Sequence, residues 1–161
     1  PEFESLILTS ATEFNAPGDM VYRILEFCRN TGQPVPQTEG QIVRCILESL
    51  ALQYRTVLLS LESLLGRSLD VIHIIGGGSR NRLLNTFTAQ ATGKQVIAGP
   101  VEATITGNLL VQAMGLGYLS SLDEIRQVVS NSFHLEVFEP SYTGDLDEAF
   151  NRYQQLQLIR L

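Results

Sequence analysis

Apolar positions in the first forty residues change from no regular spacing to a helical one. Residues 1–16 have no period, which indicates an irregular lead-in that ends at the turn-forming stretch 15–19. Apolar residues spaced i, i+3, i+4, i+7 then predict a short helix: Val21, Ile24, Leu25 and Cys28. The residues expected to end it are Gly32, Pro34 and Pro36.

A second, longer helix is predicted between two end signals. Thr38 and Gln41 match the Thr-x-x-Gln capping box, in which each side chain binds a backbone N–H of the other residue. The apolar pattern continues to about Leu65, and Gly66 is a natural carboxy-terminal cap. The stripe predicted to face the core consists of Ile42, Cys45, Ile46, Leu50, Val57, Leu61 and Leu65.

The spacing changes again after Gly66. The β-branched run 71–75 (VIHII) predicts a buried strand, and residues 96–98 (VIA) predict a second one. Between them, four apolar residues mark a helix that Gly93 ends: Leu83, Leu84, Phe87 and Ala91. This alternation of helices and strands predicts an α/β fold with a short parallel sheet flanked by helices.

The last third of the sequence predicts further helices around one extended segment. A helix from about Ala103 to Gly117 contains small residues expected to let it approach the sheet closely: Gly107, Ala113 and Gly115. Ser121 and Glu124 form a second capping box, and the inward face that follows is predicted as Leu122, Ile125, Val128 and Val129. Alternation over 133–137 indicates an edge strand or extended segment. A final helix from about Asp145 is predicted to bury Ala149, Phe150, Tyr153 and Leu156.

Two clear strands are few for a free-standing sheet. An unpaired strand edge offers backbone groups to any other strand that can reach it. We therefore expect the edge to be covered, by pairing between copies of the chain if nothing else lies there.

Composition and charge exclude several classes of protein. The chain has 161 residues, 44% hydrophobic and 17% charged, as in a soluble domain with one core. Its net charge of −6 does not favour binding to nucleic acid or anionic lipid. No apolar run approaches the ~20 residues that span a bilayer, so no membrane segment is expected.

Cysteine usage favours a reducing compartment. Cys28 and Cys45 fall on apolar helix faces and are interpreted as buried free thiols rather than a disulfide framework or metal site. No signal peptide or Asn-x-Ser/Thr sequon is present, which favours the cytoplasm. The start, Pro1-Glu2-Phe3, has no initiator Met and could be a remnant of cloning.

The strongest chemical signal is the run Gly76-Gly77-Gly78 between the first predicted strand and a helix. Glycines let the backbone turn tightly and let a ligand approach, and helix amides at such a turn attract anions. The run fits neither named nucleotide motif, because Asn81 replaces the third glycine of the dinucleotide fingerprint and Gly93-Lys94 is followed by Gln95. On these grounds alone it is either a ligand site or a tight packing turn.

The sequence around this run resembles the FGGY family of carbohydrate kinases. The likeness is carried by residues 73–85 (HIIGGGSRNRLLN) and 98–108 (AGPVEATITGN), and it extends over about residues 15–142. The second block, with Gly107-Asn108, is most similar to the members of the family that phosphorylate L-rhamnulose. Other members of the family usually have Gly-Ala at that position.

The resemblance implies a fold, a reaction and a site. FGGY kinases have two actin-like (ribonuclease-H-like) domains and transfer the γ-phosphoryl group of ATP, with Mg²⁺, to a sugar hydroxyl. Residues 17–161 would be the carboxy-terminal, ATP-binding portion of the second domain. Gly77 and Asn81 would line the adenosine pocket, Gly76 and Gly78 would shape the turn, and Ser79 and Arg80 would be neighbours of the pocket.

Parts of the family pattern have no counterpart in this chain. These are the amino-terminal phosphate loop, the catalytic Asp, the sugar-binding residues and the segment that opens the second domain. Thr86 and Gln90 stand where many members carry Gln and Asp. We therefore expect no catalytic residue here, no activity for the chain alone, and a missing amino-terminal domain as its natural partner.

Other polar residues receive structural interpretations. His73 is expected to be a core histidine and His134 an exposed one. Acidic residues at helix starts are expected to stabilise the positive helix ends: Glu102, Asp123, Glu124, Asp145, Asp147 and Glu148. Two alternatives stay open, namely another FGGY kinase, of the xylulokinase or fuculokinase type, and a non-catalytic nucleotide-binding or assembly module.

Overall fold

Six α-helices and three short strands are present in residues 2–141 and 146–158, the part of the chain that the computed structural model describes. The helices are α1 (Met20–Asn30), α2 (Glu39–Leu65), α3 (Arg82–Thr92), α4 (Ala103–Gly115), α5 (Leu122–Ser132) and α6 (Leu146–Leu158). The strands are β1 (Val71–Ile74), β2 (Gln95–Ala98) and β3 (Glu136–Phe138). Short 3-10 helices span Thr12–Phe14 and Gly76–Arg80.

The three strands form one mixed sheet in the order β1-β2-β3. β1 and β2 are parallel, as predicted, with Val71 opposite Gln95, and α3 is the crossover between them. β3 corresponds to the predicted extended segment but runs antiparallel to β2, with Val96 opposite Phe138. The predicted parallel pairing of β1 and β2 is confirmed, and the sheet as a whole is mixed because β3 pairs in the opposite direction. No strand among the described residues pairs with the outer edge of β1.

Helix α2 begins and ends where its local signals indicate. The Thr38 hydroxyl accepts a hydrogen bond from the Gln41 N–H at 3.3 Å, and the Gln41 side chain accepts one from the Thr38 N–H at 3.0 Å. At the other end, Gly66 has φ +64°, a left-handed conformation that costs glycine little. The capping box and the glycine cap are both confirmed.

The inward stripe of α2 differs from the prediction. The residues that the helix buries are Cys45, Glu48, Ser49, Ala51, Leu52 and Leu58. Val57, Leu61 and Leu65 are exposed. The main core cluster reaches along α2 only as far as Leu52, and beyond it Leu58 is the one residue that the helix buries, so the predicted stripe is not covered there.

The lead-in is irregular, as predicted, but it lies in the core. Its buried residues are Phe3, Leu6, Ile7 and Leu8. Their backbone N–H groups are bound by side chains: Phe3 donates to Glu48 at 2.8 Å, Leu6 to Gln33 at 2.9 Å and Ile7 to Ser49 at 2.9 Å. These bonds replace the ladder of a regular strand, since a buried N–H group without a partner would destabilise the fold.

Charged groups hold the lead-in from two sides. Burial raises the pKa of the Glu48 carboxyl, while the Phe3 N–H and the Arg44 guanidinium at 2.6 Å act in the opposite direction. From α6, Arg152 donates to the backbone oxygen of Phe3 at 2.6 Å, across 149 residues of sequence. The lead-in is therefore fixed between α2 and α6.

The two cysteines are buried free thiols, as predicted. They lie together between α1 and α2 in the main core cluster. A hydrogen bond with Cys28 and the loss of solvation on burial raise the pKa of the Cys45 thiol. It therefore stays protonated at neutral pH, which suits a packing role.

Several other helix predictions can be compared directly with the structure. α6 buries Ala149, Phe150, Tyr153 and Leu156 as expected, although Asp145, where the prediction started, lies outside the described residues. Three positions predicted to face inward are instead exposed: Val21, Leu83 and Leu122. They lie at the edges of apolar faces whose centres are buried or half-buried, as Ile24, Phe27 and Cys28 show for α1.

Helix α4 does not pack closely on the sheet at its small residues, although the sequence had predicted this. A Cβ atom added at Gly107 or Gly115 would meet no other atom within 4 Å. The helix ends at Gly115 rather than Gly117, and Leu110 is its one buried residue. No helix in the described part of the chain is long and apolar enough to cross a membrane.

Candidate functional site at the glycine turn

The three glycines form a 3-10 turn that joins the carboxyl end of β1 to α3. Gly76 has φ +73°, and its N–H donates to the backbone oxygen of Pro100 at 3.1 Å. The Gly99 N–H in turn donates to the Ile74 oxygen at 2.8 Å. These two bonds extend the parallel ladder past the strand ends, so the turn sits at the edge where β1 and β2 both finish.

Two polar side chains hold the shape of the turn from beneath. The Ser79 hydroxyl donates to the Gly76 oxygen at 2.7 Å, and the Asn85 amide nitrogen donates to the Ser79 oxygen at 2.9 Å. Asn85 is completely buried, and its Oδ1 atom has no hydrogen-bond partner among the described residues. Because the partner of its amide is a carbonyl, the nitrogen must be the atom that faces Ser79.

The sequence analysis gave Asn85 no role, although a signal was available. It is an asparagine on the buried side of a helix whose neighbouring inward residues include Leu84 and Phe87. A polar residue at such a position normally has a specific partner. That signal identifies Asn85 as the residue that positions the turn.

Asn81 lies at the surface and begins α3. Its Oδ1 accepts a hydrogen bond from the Leu84 N–H at 3.1 Å, which makes it the amino-terminal cap of the helix. The α-helix therefore starts six residues after Gly76, at Arg82, and the 3-10 turn lies between the strand and the helix. The dipole of α3 is thus directed toward Asn81 rather than toward the glycines.

Gly77 and Gly78 are exposed, and neither has the positive φ that would favour glycine. A Cβ atom at Gly78 would make an ordinary contact of 3.7 Å with Ile74, and one at Gly77 would meet nothing within 4 Å. Of the three glycines, only Gly76 is therefore required by its backbone conformation. The bare surface at Gly77 leaves room for another molecule, which supports the ligand-site interpretation over a tight packing turn.

β1, the strand beside the turn, was predicted to be buried, but it is not. Ile72 and Ile74 are half-buried, while Val71, His73 and Ile75 are exposed. The prediction of a core histidine at His73 was therefore wrong. The reason is that the main core cluster draws on the helices and the lead-in and not on β1, so strand residues pointing the other way are uncovered.

A cleft of about 850 Å³ lies on that uncovered side, between β1 and α5. His73 and Ile75 line one side of it, and residues of α5 such as Ile125 and Val129 line the other. Gly99 and Pro100 form its end nearest the glycine turn. The turn and the cleft therefore share the edge of the sheet where β1 and β2 finish.

Acidic side chains near the site have local partners. Asp123 binds Arg126 at 2.7 Å. Only half of the predicted capping box forms: the Ser121 hydroxyl accepts from the Glu124 N–H at 3.2 Å, but the Glu124 carboxylate accepts from the Ser120 N–H at 2.6 Å instead of from Ser121. Glu102 occupies the cap position of α4 but makes no side-chain cap hydrogen bond. His134 is exposed, as predicted.

Carboxylates elsewhere do not assemble into a metal site. On α6, Asp147 binds Arg55 at 2.8 Å, whereas Asp145 lies outside the described residues. Within ranges 2–141 and 146–158, no group of three or more His, Cys, Asp and Glu residues could hold a metal ion.

Several known proteins are similar to this chain over most of its length. Residues 1–116 match the family model described as the carboxy-terminal domain of the FGGY family of carbohydrate kinases. The chain is 49% identical to a rhamnulokinase of Bacteroides thetaiotaomicron over 152 residues, which is 94% of the chain and 31% of that protein. A rhamnulokinase of Bacillus subtilis is 41% identical over 161 residues, covering 99% of the chain and 33% of the relative. The chain thus spans about a third of the length of these relatives.

Solved structures establish the fold. Glycerol kinase of Plasmodium falciparum with ADP superposes with a TM-score of 0.62 at 20% identity, over 80% of this chain and 26% of that one. Xylulose kinase of Rhodospirillum rubrum gives a TM-score of 0.60 at 21% identity, with the same coverage. The fold is that of FGGY sugar kinases, as the sequence predicted. With a family model covering well over half of its length, the chain belongs to the FGGY family of carbohydrate kinases.

Proposed function

We propose that this chain is the carboxy-terminal, ATP-binding portion of a cytoplasmic kinase that phosphorylates L-rhamnulose to L-rhamnulose 1-phosphate. The observation that carries the proposal is the 49% identity, along nearly the whole chain, to a protein named rhamnulokinase. The exposed surface at the glycine turn supports the ATP-binding part of the proposal. The sugar would bind largely outside this chain.

In this proposal, Gly77 and Asn81 line the adenosine pocket, while Gly76 and Gly78 shape the turn. The geometry supports these roles because Gly77 is exposed beside empty space, and Asn81 is exposed at the start of α3. Ser79 is buried and fixes the turn, so its role would be to position it.

Mg²⁺ would be held by the phosphates of ATP and by residues outside this chain. Mg²⁺ usually binds to substrate phosphates together with one or two carboxylates, which the rest of the kinase would supply in this proposal. Phosphoryl transfer also needs a base near the acceptor hydroxyl. We therefore expect the chain alone to have no kinase activity.

The first test uses the full-length gene product. ADP release is measured with ATP, Mg²⁺ and a panel of ketoses: L-rhamnulose, D-xylulose and L-fuculose. The highest kcat/KM is expected for L-rhamnulose. A clear preference for another ketose would replace the proposed substrate, and no turnover with any of them would favour a non-catalytic module.

The second test asks whether the glycine turn holds the nucleotide. Gly77→Val is expected to raise the KM for ATP at least about tenfold, since it fills the open space, and to change the KM for the sugar little. Gly40→Val is the matched control, because Gly40 also lacks a positive φ and has no atom closer than 4.0 Å to an added Cβ. Equal KM values for ATP in the two variants would reject the site.

A further inference from the structure

Helix α4 is apolar and yet lies mostly at the surface. Its thirteen residues include no charged side chain. Four large apolar residues at or just past this helix are strongly exposed: Ile105 (68%), Leu109 (65%), Val111 (52%) and Leu116 (76%). A helix on the surface of a globular protein normally presents charged or polar residues to water.

Three of these residues form a continuous stripe. At 3.6 residues per turn, Ile105, Leu109 and Leu116 lie within about 40° of one another around the helix axis. We call these three residues the α4 stripe. The buried Leu110 points about 100–140° away from these residues. All three are more than 60% exposed, so the stripe faces away from the rest of the described chain.

The surroundings of α4 extend the uncovered surface. α4 packs against α5, and α5 forms one side of the 850 Å³ cleft whose other side is the exposed face of β1. The outer edge of β1 has no strand partner among the described residues. An exposed apolar surface next to an unpaired strand edge is the pattern of a surface that another polypeptide covers.

We propose that the α4 stripe is a docking surface for the remainder of the kinase polypeptide, the part that this chain does not match in its relatives. The relatives at 49% and 41% identity are about three times as long as the chain, which covers 31% and 33% of them. In an enzyme of that length, a portion about twice the size of this chain lies outside it and could cover the stripe. The lack of charge on α4 fits an apolar, permanent interface rather than a polar surface between transient partners.

The inference rests on the proposed function only in taking the relatives as models of the whole enzyme. Its test measures association and needs neither nucleotide nor sugar. Failure to phosphorylate L-rhamnulose would therefore leave it standing, and failure to associate would leave the substrate proposal standing.

The experiment combines this chain with the part of the Bacteroides thetaiotaomicron rhamnulokinase that it does not match. Their Kd is measured by sedimentation or biolayer interferometry. Association is expected, and Leu109→Asp and Leu116→Asp should each raise the Kd at least about tenfold, or about 1.4 kcal/mol. Leu64→Asp on α2 is the control, since Leu64 is 85% exposed and apolar but lies outside the stripe.

Three results would overturn the proposal. In the first, the wild-type chain does not associate with its partner. In the second, Leu109→Asp and Leu64→Asp raise the Kd by the same amount. The third is self-association of the 161-residue chain that Leu109→Asp abolishes, because then a second copy covers the stripe. Circular dichroism melts check that all variants are folded, as expected for substitutions of exposed side chains.

Discussion

The role of the Asn85 amide as a hydrogen-bond donor can be tested by replacing its nitrogen with an oxygen. In Asn85→Asp the side chain keeps its shape, but the atom facing the Ser79 oxygen, at 2.9 Å in the wild type, becomes an acceptor. Two acceptors then face each other in a completely buried place. The carboxyl group can restore the bond only by keeping its proton and donating it to Ser79.

The expected loss in the free energy of unfolding follows from the pKa of the new carboxyl group. Burial without a compensating partner can raise a carboxyl pKa by about 3 units above its unfolded value of about 3.9. Since the folded pKa lies above the unfolded one, stability is highest in acid and falls as the pH rises through the folded pKa. At about 1.36 kcal/mol per unit, the penalty is about 1.5 kcal/mol at pH 5 and about 4 kcal/mol at pH 8.

Asn85→Leu is the comparison variant. It also loses the bond to Ser79, which leaves a buried carbonyl without its donor, but it removes the unpartnered Oδ1 as well. We expect a cost of about 1–2 kcal/mol that does not depend on pH.

The assay is urea unfolding followed by circular dichroism at pH 5, 6.5 and 8. The free energy of unfolding of Asn85→Asp, relative to Asn85→Leu, should fall by about 2–3 kcal/mol between pH 5 and pH 8. A difference between the two variants that stays constant with pH would show that Asn85 is not the buried donor to the turn.

Other changes give stability predictions that urea unfolding also tests. Gly99→Ala should lower the free energy of unfolding by about 1–3 kcal/mol, because Gly99 has φ +112° and the new Cβ would lie 3.2 Å from Leu135 Cδ2; an unchanged value would contradict the strain argument. Gly115→Ala is the contrasting glycine, in open space with an ordinary φ, and should raise it by about 0.5–1 kcal/mol. Thr38→Ala should cost about 1 kcal/mol by removing the acceptor for the Gln41 N–H. A Thr38→Ser variant with the same loss would show that the cap bond is not the cause.

Local signals in the sequence were sufficient to predict where several helices and strands begin and end. The limits of α2 followed from Thr38, Gln41 and Gly66, because a capping box and a glycine cap act between residues close in the chain. The strand–glycine–helix order around Gly77 was also predictable, since the change from β-branched residues to helical spacing is local.

The predictions that were wrong concern contacts between residues that are far apart in the sequence. That β1 is covered on one face, leaving His73 exposed, depends on where the core helices pack. The antiparallel direction of β3 depends on how the chain returns to β2, and the bond from Asn85 to Ser79 exists only once the turn has formed. Periodicity within one element carries no information about such partners.

The bond from Arg152 to the Phe3 oxygen has a consequence for how the protein is made. It joins residues 149 positions apart, so it can form only after both Phe3 and Arg152 have left the ribosome. Until then, the apolar segment from Phe3 to Leu8 lacks one of its two supports and is exposed to chaperones and to other nascent chains. Folding of this core is therefore expected to be slow compared with folds built from local contacts.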